Sequence, residues 1–266
     1  MKSTIRGAKK VQANPVNWKL PLHLAHLQYF INVTLYTGTF DDFLFIMLLS
    51  CTFYGCHHMG KLVQKNGHSL FDWRKIINWA SLTFESGQAQ YYLLYHKGDP
   101  FYHRSDIIFT SQEVADPVAM LQDYMHCCDC LHGAKTALFL CKNGSYPSHS
   151  WFKLKFFTVL DHCFGGHSPC TGYATFLASL GILESIIQAV GCWSSVVFKG
   201  LVQWTRKKKW NPTKCNQTVG CSCPVLGAVR LPVASIWEIF KTIQNQLQPI
   251  ATGLLTVLYI PYTLLR

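Results

Sequence analysis

The stretch Gly165-Gly166-His167-Ser168-Pro169-Cys170, followed later by Gly191-Cys192-Trp193, decides how the rest of the chain is read. Two glycines precede a helix start at which Ser168 is the better cap candidate and Pro169 fits the first turn, where a missing N–H costs nothing. Working outward, helices are expected over residues 173–180 and 184–190 on the C-terminal side, and over 117–125 and 150–160 on the N-terminal side. Further upstream, residues 81–84, 90–95 and 106–109 read as short strands. Turn signals stand at Glu85-Ser86-Gly87 and Lys97-Gly98-Asp99-Pro100. Leu22, Leu24, Leu27, Phe30 and Ile31 recur at helical spacing, and Asp41 or Asp42 is the expected cap of an apolar segment, residues 43–54. That segment is shorter than the ~20 residues a membrane span needs, so it is expected to be a central buried helix. The predicted class is α+β, mainly α, with a small three-stranded antiparallel sheet beside a helical body.

Four segments carry a family resemblance. They are Phe53-Tyr54-Gly55-Cys56-His57-His58-Met59-Gly60-Lys61-Leu62, the strand and turn Gln90 to Asp99, the run Asp116-Pro117-Val118-Ala119-Met120-Leu121, and Gly191-Cys192-Trp193. Together with Gly166-His167 they resemble, in order and spacing, the catalytic domain of tyrosine recombinases (phage integrases), in particular those of fungal mobile elements. That family works with an arginine, a lysine, a His-x-x-Arg pair, a His or Trp, and a nucleophilic tyrosine. The resemblance implies that Lys97, His167 and Trp193 are retained family positions. It places His58 and Cys170 where the two arginines would stand, Lys61 where a glutamate would, and Leu201, eight residues after Trp193, at the nucleophile. By the same resemblance Lys97 would protonate the leaving oxygen and His167 would assist proton transfer. Read without it, Lys97 is a solvated turn lysine, His167 a cap, and Trp193 a packing residue.

The losses have direct chemical meaning. Covalent catalysis at a phosphodiester needs an oxygen nucleophile, and leucine has none. Two arginine forks would hold the non-bridging phosphate oxygens by bidentate, permanently charged hydrogen bonds. A cysteine or a mostly neutral imidazole cannot copy them. Stabilisation of that kind is worth ~3 kcal/mol per donor, so no strand cleavage is expected.

Composition points to an anionic partner: the net charge is +11, with only 13 acidic residues in 266. The basic side is poor in arginine, six residues against 12 cysteines and 12 histidines. A single-base transition converts CG-type arginine codons to cysteine or histidine codons and glutamate codons to lysine, a pattern that fits His58, Lys61, Cys170 and Cys192. The expectation is a decayed mobile-element gene. The polar, basic start after Met1 gives no secretory signal, so the cysteines are expected in a reducing compartment rather than in a disulfide framework. The cluster His126-Cys127-Cys128-Asp129-Cys130-Leu131-His132 lacks the paired two-to-four-residue spacing of zinc ligands. Scattered buried thiols are expected there, and neither a metal nor a cofactor.

Three segments follow: a basic arm over 1–19, a degenerate catalytic-like domain over 20–205, and an unmatched basic and apolar tail over 206–266. About twenty residues precede the matching region, so no counterpart of the family's N-terminal helical clamp is expected. The functional expectation is a catalytically inactive domain that binds double-stranded DNA weakly and non-specifically. Homo-oligomers are implied by the resemblance, and a nuclear location by descent and by Arg206-Lys207-Lys208-Lys209. The rival readings are a membrane-associated protein anchored by the apolar run 250–265, which Gly253 and Pro261 interrupt, and an unstable relic of a mobile-element gene.

Overall fold

Residues 44–54 form an almost unbroken apolar run, and a helix built from them has no face left for water. In the computed structural model, which describes residues 19–94 and 105–191, this run lies at the centre of the molecule. Helix α1 spans Leu24–Thr37 and α2 spans Phe40–Tyr54, with every residue of α2 from Leu44 onward buried. Around α2 pack α1, then α3 (Pro117–His132), α4 (His149–Val159) and α5 (Ser168–Ser179), while α6 (Glu184–Val190) adds to α5. Phe30, Phe45, Phe152 and Phe156 interlock between α1, α2 and α4, with ring centroids 5.0–6.3 Å apart. Each fully buried side chain of this kind contributes roughly 1.5–3 kcal/mol.

Polar atoms inside α2 are spent on backbone. Ser50 and Tyr54 donate their hydroxyls to the carbonyls of Ala115 and Val114, tying the approach to α3 against the central helix. Three antiparallel strands, β1 (Thr83–Glu85), β2 (Gln88–Leu93) and β3 (Ser105–Thr110), pair in sequence order, with Tyr91 opposite Ile107 and Ala89 opposite Phe109. Their alternation turns Ala89, Tyr91, Leu93, Ile107 and Phe109 inward under α3. The mainly helical architecture with a small antiparallel sheet is therefore as expected from the sequence.

Boundaries differ for identifiable reasons. Thr39, not Asp41 or Asp42, caps α2: its hydroxyl accepts the Asp42 N–H at 3.2 Å. Both aspartates lie in the first turn, where the helix dipole favours them. Asp42 pairs with Lys155 of α4 and Asp41 accepts the Lys142 N–H at 2.7 Å. Residue 81 belongs to a short 3-10 turn, Trp79–Ser81, so β1 starts at Thr83. Helix α3 runs on through the cysteine cluster to His132 and stops at Gly133, which takes a positive φ of 60°.

The expected helix over 173–180 begins earlier, at Ser168. His167, not Ser168, is the cap residue, and the first helical bond runs from the Thr171 N–H to the His167 carbonyl. The Ser168 hydroxyl turns back instead and accepts the Gly165 N–H at 2.9 Å. One turn further on, Gly172 lets α5 press on the backbone ahead of α1. A Cβ there would lie 2.0 Å from the Leu22 carbonyl oxygen. The Leu22 N–H donates to the Ser168 carbonyl and the Leu20 N–H to Cys163, so the entry strand and α5 hold each other in register.

Candidate functional site

The site is built where α2 ends. Cys56 takes a left-handed φ of 50°, uncommon for a residue with a Cβ, and breaks the helix. The chain then sends His57 inward and His58 outward. His57 is buried: its Nδ1 lies 3.1 Å from the Gly55 carbonyl and its Nε2 3.5 Å from the Tyr91 hydroxyl. Burial, with Lys61 close by, holds its pKa down to about 3. It is a neutral packing imidazole.

His58 begins a 3-10 turn, Met59–Lys61, and its Nδ1 accepts the Gly60 N–H at 3.2 Å. With Nδ1 committed as acceptor, the proton of the neutral ring sits on Nε2. That atom is 3.3 Å from Nδ1 of His167, and the two rings meet edge to face with centroids 4.0 Å apart. The Nε2–H of His58 then donates to His167, whose own Nε2–H is left for a ligand at the open side of the pair. Gly166 makes the approach close. A Cβ at that position would be 3.3 Å from His58 Cε1 and from the Met59 methyl. His167 also caps α5, so the pair lies in the positive field of a helix N-terminus.

Every charged group acting on His58 is basic. Burial first, then His167, His149, Lys61 and Lys75, push its pKa down to about 4. Burial also lowers His167, and burial with Lys153 and Lys75 lowers His149. Lys75 donates its ammonium to the Gly60 carbonyl at 2.7 Å, which holds it against the turn that carries His58. The ammonium is half-buried, and its pKa falls because of burial and of Lys65. Imidazoles packed beside lysine ammonium groups disfavour their own protonation, and an anion placed against them would make that protonation more favourable.

Cys170 completes the picture in an unexpected way. It lies in the first turn of α5, but its side chain is buried and its thiol donates to the His167 carbonyl at 3.1 Å. Burial raises its pKa to about 12, so it stays a neutral thiol and provides neither a charge nor a nucleophile at neutral pH. Tyr173 is also raised by burial and packs against Phe53 and Tyr54.

Of the six positions expected from the sequence, His58, His167 and Cys170 come together at the junction of α2 and α5. Lys97, Trp193 and Leu201 lie outside the described residues. Two members of the cluster, Lys75 and His149, were not among the expected residues. Lys75 sits in a charged Trp-Arg-Lys run that looks solvated, and His149 merely starts a helix. Their nearness to His58 comes from chain crossings that no local pattern records. No group of three or more histidine, cysteine or acidic side chains able to hold a metal occurs among the described residues.

The arrangement of helices around α2, with a three-stranded sheet on one side, is similar to the fold of solved site-specific recombinases. The XerH site-specific recombinase, in its post-cleavage complex with a palindromic difH substrate, aligns with a TM-score of 0.51 and 13% identity over 83% of this chain and 54% of its own. Its pre-cleavage complex with difH aligns with the same TM-score and identity over 73% of this chain and 54% of its own. The chain spans about half the length of these solved proteins. No protein-family model and no curated protein matches it.

Proposed function

We propose that this chain is a DNA-binding domain of tyrosine recombinase type that no longer cleaves DNA. The observation that carries the reading is the His58–His167 pair, backed by Lys61, Lys75 and His149 with only basic neighbours acting on it. It lies on a fold whose solved relatives are recombinases bound to DNA substrates. Such a cluster holds backbone phosphate through lysine and imidazole contacts. These position a duplex without reading its bases, so binding is weak and non-specific. Inactivity rests on Leu201 at the nucleophile position and on His58 and Cys170 at the arginine positions. The thiol of Cys170 is buried and committed to the His167 carbonyl, and it carries no charge to substitute for an arginine. Descent from a fungal mobile-element gene, a nuclear location and self-association belong to the same reading.

Anisotropy with a labelled duplex tests the binding. Affinity should fall by an order of magnitude or more between 50 and 200 mM salt, since each phosphate contact releases a counterion. An affinity indifferent to salt contradicts the reading. A nicked duplex that traps covalent intermediates tests the inactivity. No protein–DNA adduct should survive denaturing electrophoresis, and a band that does would show an active enzyme.

A further inference from the structure

A second surface lies beside the histidine cleft and is not explained by duplex binding. Residues 64–76 cross the molecule without regular structure beyond short 3-10 turns, yet they are fastened at both ends. The Gln64 amide pairs with Asp72 twice, donating to its carbonyl at 3.1 Å and accepting its N–H at 3.2 Å. The Gln64 backbone bonds to Pro147 and His149, and the Asn66 side chain accepts the Ser150 N–H at 2.9 Å. Asp72 in turn holds Arg74 through both carboxylate oxygens, at 2.7 and 3.0 Å.

This braced loop exposes what a folded chain usually hides. Trp73 is 68% exposed, Leu70 54% and Phe71 44%. Phe71 packs against Tyr146, with ring centroids 5.3 Å apart. Tyr146 also lines a small crevice together with Lys75, Ile76, Ile77 and Ala137. Lys65, exposed, and Lys75 bring ammonium groups to the same loop, and Lys75 links it to the His58 turn. Apolar side chains held out by a rigid loop mark a binding surface. Flat aromatic faces next to ammonium groups match a ligand that is itself flat, aromatic and anionic.

We infer that the 64–76 loop is a stacking platform for unpaired bases of nucleic acid, with Trp73 and the Phe71–Tyr146 pair taking the bases and Lys65 and Lys75 the adjoining phosphates. The inference rests on the DNA-binding reading of the neighbouring cleft. It adds to that reading a preference for gapped or single-stranded segments over continuous duplex. Stacking on an aromatic ring accepts any base, so the preference is structural and not sequence-specific.

The test uses the full chain and two labelled probes, a continuous duplex and the same duplex with a three-nucleotide single-stranded gap. Wild type should bind the gapped probe more tightly. Trp73→Ala should weaken that complex roughly five- to hundredfold, the span of a lost stacking contact, and leave duplex affinity unchanged. Trp73→Phe should restore most of the loss, and Tyr146→Phe should have little effect because the ring remains. Both Trp73 variants should melt like wild type, since the side chain is exposed. Equal affinity for the two probes, with salt-sensitive duplex binding intact, overturns the platform and spares the cleft. Failure to bind either probe overturns both. A self-association that Trp73→Ala abolishes, with no change in DNA affinity, reassigns the surface to protein contact and also overturns the inference.

Discussion

His57 and His58 are neighbours in the chain and face opposite worlds. Behind α2, His57 is enclosed beside Tyr91 with its proton directed to the Gly55 carbonyl. In front of α2, His58 keeps its proton on the other nitrogen and points it at His167. Both imidazoles have lowered pKa values, but the consequences differ. For His57 the cause is enclosure first, with Lys61 and His58 adding to it, and the ring is buried beyond the reach of a ligand. For His58 enclosure is joined by a ring of basic neighbours, and an anion can relieve it. The interior and the cleft thus use the same residue type at adjacent positions, just after the left-handed Cys56.

The largest effect should come from disturbing the packing that creates this division. Gly172→Val would drive a side chain into the Leu22 carbonyl, 2.0 Å from the position of a Cβ. Backbone cannot give way there as a flexible side chain could, so the variant should lose ~3 kcal/mol or more and fail to melt cooperatively. A Gly172→Val protein with a wild-type melting curve would break the assignment of α5 to this contact.

Next come the two positions where the family resemblance expects arginine. They should respond to different degrees. Cys170→Arg places a guanidinium in a buried site with no carboxylate among the groups acting on it. It should destabilise by ~3–5 kcal/mol, as a buried unpaired charge does. His58→Arg puts a permanent charge at a part-buried position among basic neighbours and removes the acceptor of the Gly60 N–H, so it should lower the melting temperature, though less than Cys170→Arg, and should raise duplex affinity about tenfold through charge-assisted phosphate contacts. Measuring melting and binding for both variants separates a damaged catalytic pocket from one that has lost its interior geometry as well.

Acid should act on both histidines in the same direction. A histidine whose folded pKa lies below its unfolded value leaves the unfolded state with more bound protons between the two, so stability rises with pH there. With His57 at about 3 and His58 at about 4, against an ordinary 6.5, stability should fall steadily from pH 6.5 toward pH 4. The loss should amount to a few kcal/mol in urea titrations. His57→Asn should flatten the slope, and an unchanged slope would contradict the enclosure of that ring.

The smallest effect concerns binding. Phosphate in the cleft raises the pKa of His58 and His167, so complex formation takes up protons and affinity should rise as pH falls from 7.5 to 6. A gain of about three- to tenfold is expected by anisotropy. It should vanish in the His58→Ala, His167→Ala double variant. A pH-independent affinity would remove the imidazoles from the site and leave only the lysines.

Much of this was legible in the chain. The apolar run of α2, the strand alternation in β2 and β3, and the Asp116-Pro117 start of α3 declare themselves locally, because burial on one or all faces dictates residue type at fixed spacing. Caps were less legible: Thr39 and Asp42 are both good caps, and only the hydroxyl geometry decides between them. The site was legible in part. His58 and His167 were singled out and meet, whereas Lys75 and His149 were not, since a lysine after Trp-Arg and a histidine after Ser148 carry no pattern of their own.

By itself, then, the sequence determined the interior, the succession of helices and strands, and the surplus of positive charge, and it singled out positions 58, 170 and 201 as those where the resemblance expects chemistry that these residues do not have. Only the tertiary structure decided that His57 turns into the core while His58 meets His167, that the Cys170 thiol is buried against the His167 carbonyl, and that Lys75 is held at the His58 turn. Local spacing sets which face of an element is apolar. Which polar residues meet across it is settled by how α2, α5 and the 64–76 loop pack, over separations in the chain that no periodicity spans.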